Sequence, residues 1–254
     1  MKKHLTPAKA AACLALWLLL GACHTLPQPE PSLDTLVRRG TTAFEKKKWD
    51  KAIEAFQMVK DRFPFSPHAL TAEMRVADAL YMQENYQEAA AAFQEFERLH
   101  PRNELVPYAV YMQGMSHREM MLSRDRDQTP TAEALRNFER LAKDYPDSPL
   151  VSKAREEVFA CKEKLAAQEL YVANWYRRTS HAKSALNRLK YLLANYPDTA
   201  SATEAGRVFS EVSREVADQQ AKKGEKPAPL GWQGQQPDSG GWQGQQPDSG
   251  APKP

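Results

Sequence analysis

The sequence predicts an all-α fold, a tetratricopeptide-like helical solenoid of about four to five helix pairs, from a pattern that occurs four times. An alanine, a large apolar residue and a further apolar residue lie twelve, eight and five positions before a proline. Turn-forming residues follow each proline, and small and aromatic residues precede the first two patterns at fixed offsets. The four sets are Ala52, Phe56, Val59, Pro64; Ala89, Phe93, Phe96, Pro101; Ala134, Phe138, Leu141, Pro146; and Ala185, Leu189, Leu192, Pro197.

Each of these four segments is predicted to be the second helix of a pair. The offsets place the three apolar positions on one stripe of a helix, because residues three or four apart are neighbours on its surface. The alanine lets another helix approach closely, and the large side chain fills the space beside it. The proline then ends the helix, since it has no N–H and disfavours helix at the residue before it.

The first helix of each pair is predicted from small and aromatic residues. Gly40 and Ala77 lie 24 residues before the first two prolines, at positions where two helices cross. Trp49 and Tyr86 lie fifteen residues before the same prolines, between the paired helices. A period near 34 residues with such positions resembles the tetratricopeptide repeat, which needs about three copies for stability.

The spacing between the prolines is uneven, at 37, 45 and 51 residues. The eight extra residues of the third repeat fall around residues 124–130, which predicts a charged loop. Residues 150–179 contain no glycine or proline, which predicts one unusually long helix, and a further helix is predicted at 202–216. The long helix contains Phe159, Leu165, Val172 and Trp175, and every Phe, Leu and Met on these stripes is expected to pack in the core.

The first 22 residues are predicted to be a secretory signal peptide. A short basic start precedes an apolar run that is too short for a stable membrane span. The Leu-Gly-Ala-Cys sequence at 20–23 resembles the bacterial lipobox, in which the cysteine is acylated and becomes the new N-terminus. Cys23 is therefore the predicted lipidation site, and residues 23–32 form a lipidated, proline-rich tether. The alternative is an ordinary cleavage site beside an incidental cysteine.

The net charge of the mature chain is predicted to be balanced. Three of the 35 lysines and arginines lie in the signal segment, and the others equal the 32 acidic residues in number. A balanced surface argues against nucleic acid as a partner, because nucleic-acid binding needs a basic face. Cys161 alone remains after lipidation of Cys23, so no disulfide within the chain is expected, and a small buried apolar role is predicted for it.

Residues 221–254 are predicted to be a disordered tail. The sequence GWQGQQPDSG at 231–240 repeats without change at 241–250. Gly, Gln, Pro and Ser without apolar periodicity cannot bury a core. Trp232 and Trp242 are either short binding motifs or products of a tandem duplication, and the duplication is the favoured explanation.

No catalytic, cofactor or metal site is predicted. The histidines lack the three- or four-residue spacing of a helical metal site, and there is no glycine-rich phosphate loop or nucleophile elbow. A helical repeat chain without such a site is expected to be a scaffold and not an enzyme.

Several strings go beyond a generic repeat and resemble one family. They are RFPFSP at 62–67, YAVYMQGM at 108–115, DRD at 125–127, YPDS at 145–148, YVANWY at 171–176, NR at 187–188 and YPDT at 196–199. With the lipobox, their order and spacing resemble the BamD (ComL) family, the lipoproteins of the outer-membrane β-barrel assembly machinery. The resemblance extends from Cys23 to about Val216.

The resemblance implies a scaffold that is lipid-anchored in the outer membrane and faces the periplasm, in a complex with BamA and other subunits. The absence of aspartate after Cys23 also favours delivery to the outer membrane. In the family, the C-terminal repeats bind the POTRA domains of BamA, and Arg188 matches the arginine that contacts BamA. The alternative for Arg188 is a solvated helix residue.

The N-terminal repeats of the family are proposed to engage unfolded barrel precursors. Phe63, Phe65 and Pro67 match this substrate side, and the alternative for them is aromatic packing between repeats one and two. The loop of repeat three is shorter than in enterobacterial members, and a second helix of a fifth pair is not evident, so accessory lipoproteins are not carried over. The alternative function is a tetratricopeptide lipoprotein of cell-wall or pilus assembly.

Overall fold

The computed structural model describes residues 30–222, which contain nine α-helices and no strand. The chain divides into two compact units, one ending at Asn85 and one starting at Tyr86. The first unit contains α1 (Leu33–Glu45), α2 (Trp49–Arg62) and α3 (Ala69–Met82). The second contains α4 (Tyr86–Leu99), α5 (Val106–Glu119), α6 (Thr129–Asp144), α7 (Val151–Arg178), α8 (Ala182–Asn195) and α9 (Ala200–Lys222).

Within each unit, every helix packs against the next helix in the chain, and α9 also packs against α7. This is the packing of a tetratricopeptide-like solenoid, so the predicted fold class is confirmed. In each set of the fourfold pattern, the three apolar residues before the proline lie on α2, α4, α6 or α8. Each of these side chains is at most 3% exposed. Their predicted core role is therefore also confirmed.

The proline joints after α2, α4, α6 and α8 share one hydrogen-bond pattern. The residue before the proline donates its N–H to the carbonyl four residues earlier, as Phe63 does to Val59 at 2.9 Å. Its own carbonyl then accepts from the residue three positions later, as Phe63 does from Ser66 at 2.9 Å. The same bonds occur around His100, Tyr145 and Tyr196. The proline thus stops the helix where the sequence predicts, because it cannot continue the helical ladder.

A different turn ends α1, α3 and α7. Lys47, Glu84 and Ser180 adopt left-handed backbone conformations, with φ of 54°, 67° and 61°. Around Ser180, the N–H of His181 donates to the carbonyl of Tyr176 at 2.9 Å, and the N–H of Ser180 donates to the carbonyl of Arg177 at 3.2 Å. These two bonds define a Schellman motif, here formed without the usual glycine.

Two glycines allow helices to cross closely. A Cβ atom on Gly40 would lie 2.7 Å from the ring of Phe56, and one on Gly114 would lie 2.6 Å from the ring of Phe138. Both distances are too short for a real Cβ contact, so any other residue at either crossing would displace the ring or the helices. Gly40 was predicted at a crossing; Gly114 is its equivalent in the third pair, displaced in the sequence by the extra loop residues.

The predicted irregular stretches are present, with two corrections. A loop at 120–128 joins α5 to α6, but Thr129 and Pro130 already belong to α6. The long helix is α7, with 28 residues. Phe159 on α7 is 55% exposed, so its predicted core role is wrong: no helix of the described chain covers that side of α7.

The last helix is longer than predicted, because α9 extends from Ala200 to Lys222. Its first turn is fixed by two side chains: Thr199 Oγ1 accepts from the N–H of Ala202 at 3.1 Å, and Glu163 of α7 accepts from the N–H of Ala200 at 2.7 Å. The limits of the predicted signal, tether, repeat and tail segments stay predictions, because residues 1–29 and 223–254 lie outside the described part.

Candidate partner-binding surfaces

The predicted site residues fall in three places. Cys23 lies outside the described residues. Phe63, Phe65 and Pro67 lie in the joint between α2 and α3, and Arg188 lies on α8 of the second unit. The two groups are therefore separate features, each built by its own helices.

The joint between α2 and α3 presents an aromatic side chain to solvent. Phe65 is fully exposed, at 101% of its reference area, and Pro67 beside it is also exposed. Phe63 is half-buried and packs against the core formed by Leu36, Phe56 and their neighbours. The three residues thus divide into one that is packed in the unit and two that are free to contact another molecule.

A cavity of about 350 Å³ lies close to this joint, between α1 and α3. Its walls are mainly apolar, with Val37, Phe44 and Phe56 among the lining residues. The guanidinium of Arg75 lies 5.2 Å from the ring centre of Phe44, in a cation–π contact. Phe63, Phe65 and Pro67 are not part of its lining, and His68 is the residue of the joint that reaches it.

Arg188 makes an ion pair with Glu169 of α7. Its Nη1 atom lies 3.3 Å from both carboxylate oxygens. The side chain of Glu169 is only 10% exposed, whereas that of Arg188 is 40% exposed. Burial raises the pKa of the Glu169 carboxyl, and Arg188 opposes that rise. The buried carboxylate therefore holds Nη1 of a guanidinium whose side chain is partly exposed.

Glu169 was missed by the sequence analysis. It lies on the buried stripe of α7, four residues after Leu165 and four before Ala173, both of which are buried. An acidic residue in the middle of an apolar stripe needs a partner, because burying an unpaired charge is costly. That position is the local signal that could have indicated an ion pair, although the identity of Arg188 as the partner is not encoded locally.

A second arginine of this unit makes more hydrogen bonds than Arg188. Arg140 of α6 pairs with Glu97 of α4 and donates to Gln113 at 3.4 Å and to Asn137 at 3.0 Å. Gln113 also donates to Glu97 at 2.9 Å, which closes the network. Gln113 and Asn137 are buried. This network joins three helices and is a structural feature that the sequence analysis did not predict.

Cys161 is buried in α7, as predicted, and burial raises the pKa of its thiol to about 12. The thiol therefore stays protonated at neutral pH, and its role is packing. Among residues 30–222, no group of three His, Cys, Asp or Glu side chains could hold a metal ion.

None of the helices in the described part is long and apolar enough to cross a membrane.

Comparison with known proteins gives one consistent family. The family model described as YfiO, outer membrane lipoprotein, matches residues 30–227. The chain is 32% identical to outer membrane protein assembly factor BamD of Vibrio cholerae over 218 residues, which cover 81% of this chain and 88% of the relative. Proteins with the same name are 25% identical in Neisseria gonorrhoeae, over 86% of both chains, and 25% identical in Caulobacter vibrioides, over 71% of this chain and 59% of the relative.

Among solved structures, the chain is similar to the TPR2AB-domain:pHSP90 complex of yeast Sti1, with a TM-score of 0.43 and 12% identity. That match covers 74% of this chain and 78% of the yeast chain.

Proposed function

The chain belongs to the YfiO family of outer membrane lipoproteins, and from that premise we propose that it is a lipid-anchored scaffold of the outer-membrane β-barrel assembly machinery. The observation that carries the proposal is the 32% identity, across 81% of the chain, to an outer membrane protein assembly factor. A scaffold function suits a chain of stacked helices, whose surfaces bind extended partners. Cell-wall or pilus assembly receives no support from the named relatives.

Depletion of the protein tests this proposal in a bacterium that carries it. Folded outer-membrane barrels should fall broadly, and this is measured by heat-modifiable migration of porins on gels. Re-expression of the unaltered chain should restore them. Unchanged folded porin after complete depletion would reject the barrel-assembly function.

Within that function, Arg188 is proposed to bind a periplasmic POTRA domain of BamA. Glu169 holds Nη1 of the guanidinium, and no other described residue bonds to its remaining N–H groups. A guanidinium has five donors in a fixed plane and can bind two carboxylates or carbonyls at once. Its pairing with Glu169 reduces the entropy lost when a partner carboxylate binds the outer edge.

Arg188→Ala tests this contact in a pull-down with the periplasmic domains of BamA. We expect at least about a tenfold loss of affinity, which corresponds to about 1.4 kcal/mol, with α-helical content unchanged. Arg98→Ala is the matched control, because Arg98 also pairs with a glutamate of the same unit, at 2.6 Å, but is well exposed. Equal binding by the two variants would remove Arg188 from the interface.

The first unit is proposed to contact unfolded barrel precursors. Barrel strands alternate apolar and polar residues and carry aromatic girdles, so an unfolded precursor exposes the side chains that an apolar surface binds. Phe65 offers an exposed ring, and the cavity of about 350 Å³ between α1 and α3 offers apolar walls with the cation of Arg75.

A photo-crosslinking amino acid at Phe65 tests the precursor contact. We expect it to form adducts with a newly synthesised porin during assembly. Phe159 on α7 is the control position, because it is also an exposed phenylalanine but belongs to the second unit. Equal crosslinking at both positions would indicate non-specific contact and reject the assignment.

Attachment to the outer membrane is proposed to occur through acyl chains on Cys23, so that the repeats face the periplasm. Two or more acyl chains anchor a protein stably, whereas one chain binds only marginally. Mass spectrometry of the N-terminal peptide should show the acyl groups. Cys23→Ala should move the protein from the outer-membrane fraction, and retention of that variant in the membrane would contradict the lipid anchor.

A further inference from the structure

A second cavity lies within the second unit, between α7 and α9, with a volume of about 640 Å³. Four arginines contribute to its walls, together with an aromatic residue and an amide. We call it the arginine groove and define it by Arg124, Tyr171, Asn174, Arg177, Arg178 and Arg207. Arg124 comes from the charged loop at 120–128, and Tyr171 and Asn174 come from the YVANWY string, so two sequence motifs without an assigned role meet here.

Two of these arginines are paired weakly within the groove. Arg177 lies 3.2 Å from Glu211, and Arg207 lies 3.2 Å from Glu204. The side chains of both glutamates are more than half exposed, at 72% and 51%. Exposed ion pairs of this kind contribute little to stability, so a partner can displace them at low cost.

The other two arginines form no ion pair among residues 30–222, although hydrogen bonds, and to a smaller extent the charge of Arg124, lower the pKa of the neighbouring Asp125 carboxyl. The guanidinium of Arg124 lies 5.5 Å from the ring centre of Tyr171, in a cation–π contact that fixes its position. Arg178 is exposed at the end of α7, and no described carboxylate pairs with it. The groove therefore has two cations available to an external carboxylate.

Glu204 and Glu211 add a requirement of the opposite kind. Their carboxylates line the same groove and are more than half exposed, so they can accept hydrogen bonds from a bound molecule. The groove thus offers donors, on the arginines, and acceptors, on the two glutamates.

We propose that the arginine groove binds an extended, acidic segment of a partner protein. Such a segment supplies carboxylates for Arg124 and Arg178 and backbone N–H groups that offset the carboxylates of Glu204 and Glu211. A phosphate or a phosphodiester has no such N–H donor, so nothing would offset its repulsion by the two glutamates. The surface is separate from Arg188, and the proposal does not depend on binding of BamA at that residue.

The geometry also sets the spacing of the acidic residues. Tyr171, under Arg124, and Arg178 are seven residues apart on α7, which is about 10 Å along a helix. An extended chain covers that length in about three residues. The preferred segment therefore has two acidic residues about three positions apart.

The test uses the full chain in detergent micelles and a fluorescein-labelled peptide of about twelve residues, with Glu at every third position and Gly and Ser between. Binding is measured by fluorescence anisotropy. We expect Arg124→Gln with Arg178→Gln to weaken binding by about tenfold. A peptide with Gln in place of Glu should bind no more tightly to the unaltered chain than to the double variant.

The control variant is Arg98→Gln with Arg155→Gln, which changes the net charge equally with arginines outside the groove. We expect it to keep the affinity of the unaltered chain. An equal loss in both double variants would show non-specific attraction and overturn the proposal. Vesicles of phosphatidylethanolamine and phosphatidylglycerol that bind with the same dependence on Arg124 and Arg178, and displace the peptide, would identify a lipid site and overturn it as well.

Discussion

Arg140 and Arg188 lie on the second helices of neighbouring pairs, and each pairs with a largely buried glutamate, but their surroundings differ. Arg140 bonds through two nitrogens to Glu97, Gln113 and Asn137, which lie on three helices. Arg188 bonds to Glu169 alone, through one nitrogen. The same kind of ion pair is therefore part of a network across three helices at Arg140, whereas it stands alone at Arg188, whose other N–H groups are the ones proposed to bind another protein.

The connection between the two helices also differs between the third and the fourth pair. The third pair has a close crossing, where Gly114 lies under the ring of Phe138, and its helices are joined by a loop of residues 120–128. The fourth pair is joined by a tight turn at Ser180. The third pair thus combines a close crossing with the larger hydrogen-bond network, so we expect it to contribute more than the fourth pair to the stability of the second unit.

The largest expected effect is the loss of stability in Arg140→Ala. Removal of the guanidinium leaves Glu97, Gln113 and Asn137 without a shared partner, and we expect a cost of about 2–3 kcal/mol. Arg188→Ala should cost only about 1 kcal/mol, because the carboxyl of Glu169 can take up a proton. Urea denaturation measures both. Equal losses would show that the two arginines do not differ in their structural roles.

Gly114→Ala is expected to have the next largest effect. The new Cβ would lie 2.6 Å from the ring of Phe138, so the third pair must open or Phe138 must move, at a cost of about 1–3 kcal/mol. Gly206→Ala on α9 is the matched control. No atom lies within 4 Å of its new Cβ, and the change should stabilise the protein by up to about 1 kcal/mol, because alanine favours helix. Thermal unfolding that shows the same shift for both would contradict the close crossing.

The pH dependence of the Arg188–Glu169 pair gives a smaller effect. The pKa of Glu169 is higher in the folded chain than in the unfolded chain, so folding takes up a proton. Its contribution to stability is therefore greatest below the unfolded pKa of about 4.3 and is lost as the pH rises through the folded pKa. In the Arg188→Ala variant, the cation that opposes the rise in the pKa of Glu169 is absent. The stability of this variant should therefore fall more steeply with increasing pH than that of the unaltered chain.

Urea denaturation between about pH 4 and pH 7 measures this slope, and the expected difference is on the order of 1 kcal/mol. The double variant Arg188→Ala with Glu169→Gln is the control, because it lacks the titrating carboxyl. Parallel pH profiles of Arg188→Ala and this control would show that Glu169 does not sense Arg188.

The smallest expected effect is at the turn of the fourth pair. Ser180 has φ of 61°, a conformation that favours glycine, so Ser180→Gly should stabilise the protein by about 0.5–1 kcal/mol. Ser184→Gly inside α8 is the control and should destabilise it by roughly 0.5 kcal/mol. A loss of stability in both variants by thermal unfolding would contradict the strain at Ser180.

Much of the fold could be predicted from the sequence, whereas less of the candidate sites could. The positions of α2, α4, α6 and α8, and the unbroken length of α7, followed from local spacing and from proline. The exposure of Phe159 did not, because its helical stripe is identical whether or not another helix covers it. Arg188 and Phe65 were selected by resemblance, and their roles stay proposals.

The sequence by itself determined where helices start and stop and which of their faces are apolar. Those properties depend on residues three or four positions apart and on the missing N–H of proline. Only the tertiary structure decided that Arg188 meets Glu169, that Arg140 meets Glu97, and that Arg124 reaches Tyr171. The partners in each case are separated by 19 to 47 residues, and no local periodicity specifies contacts over that separation.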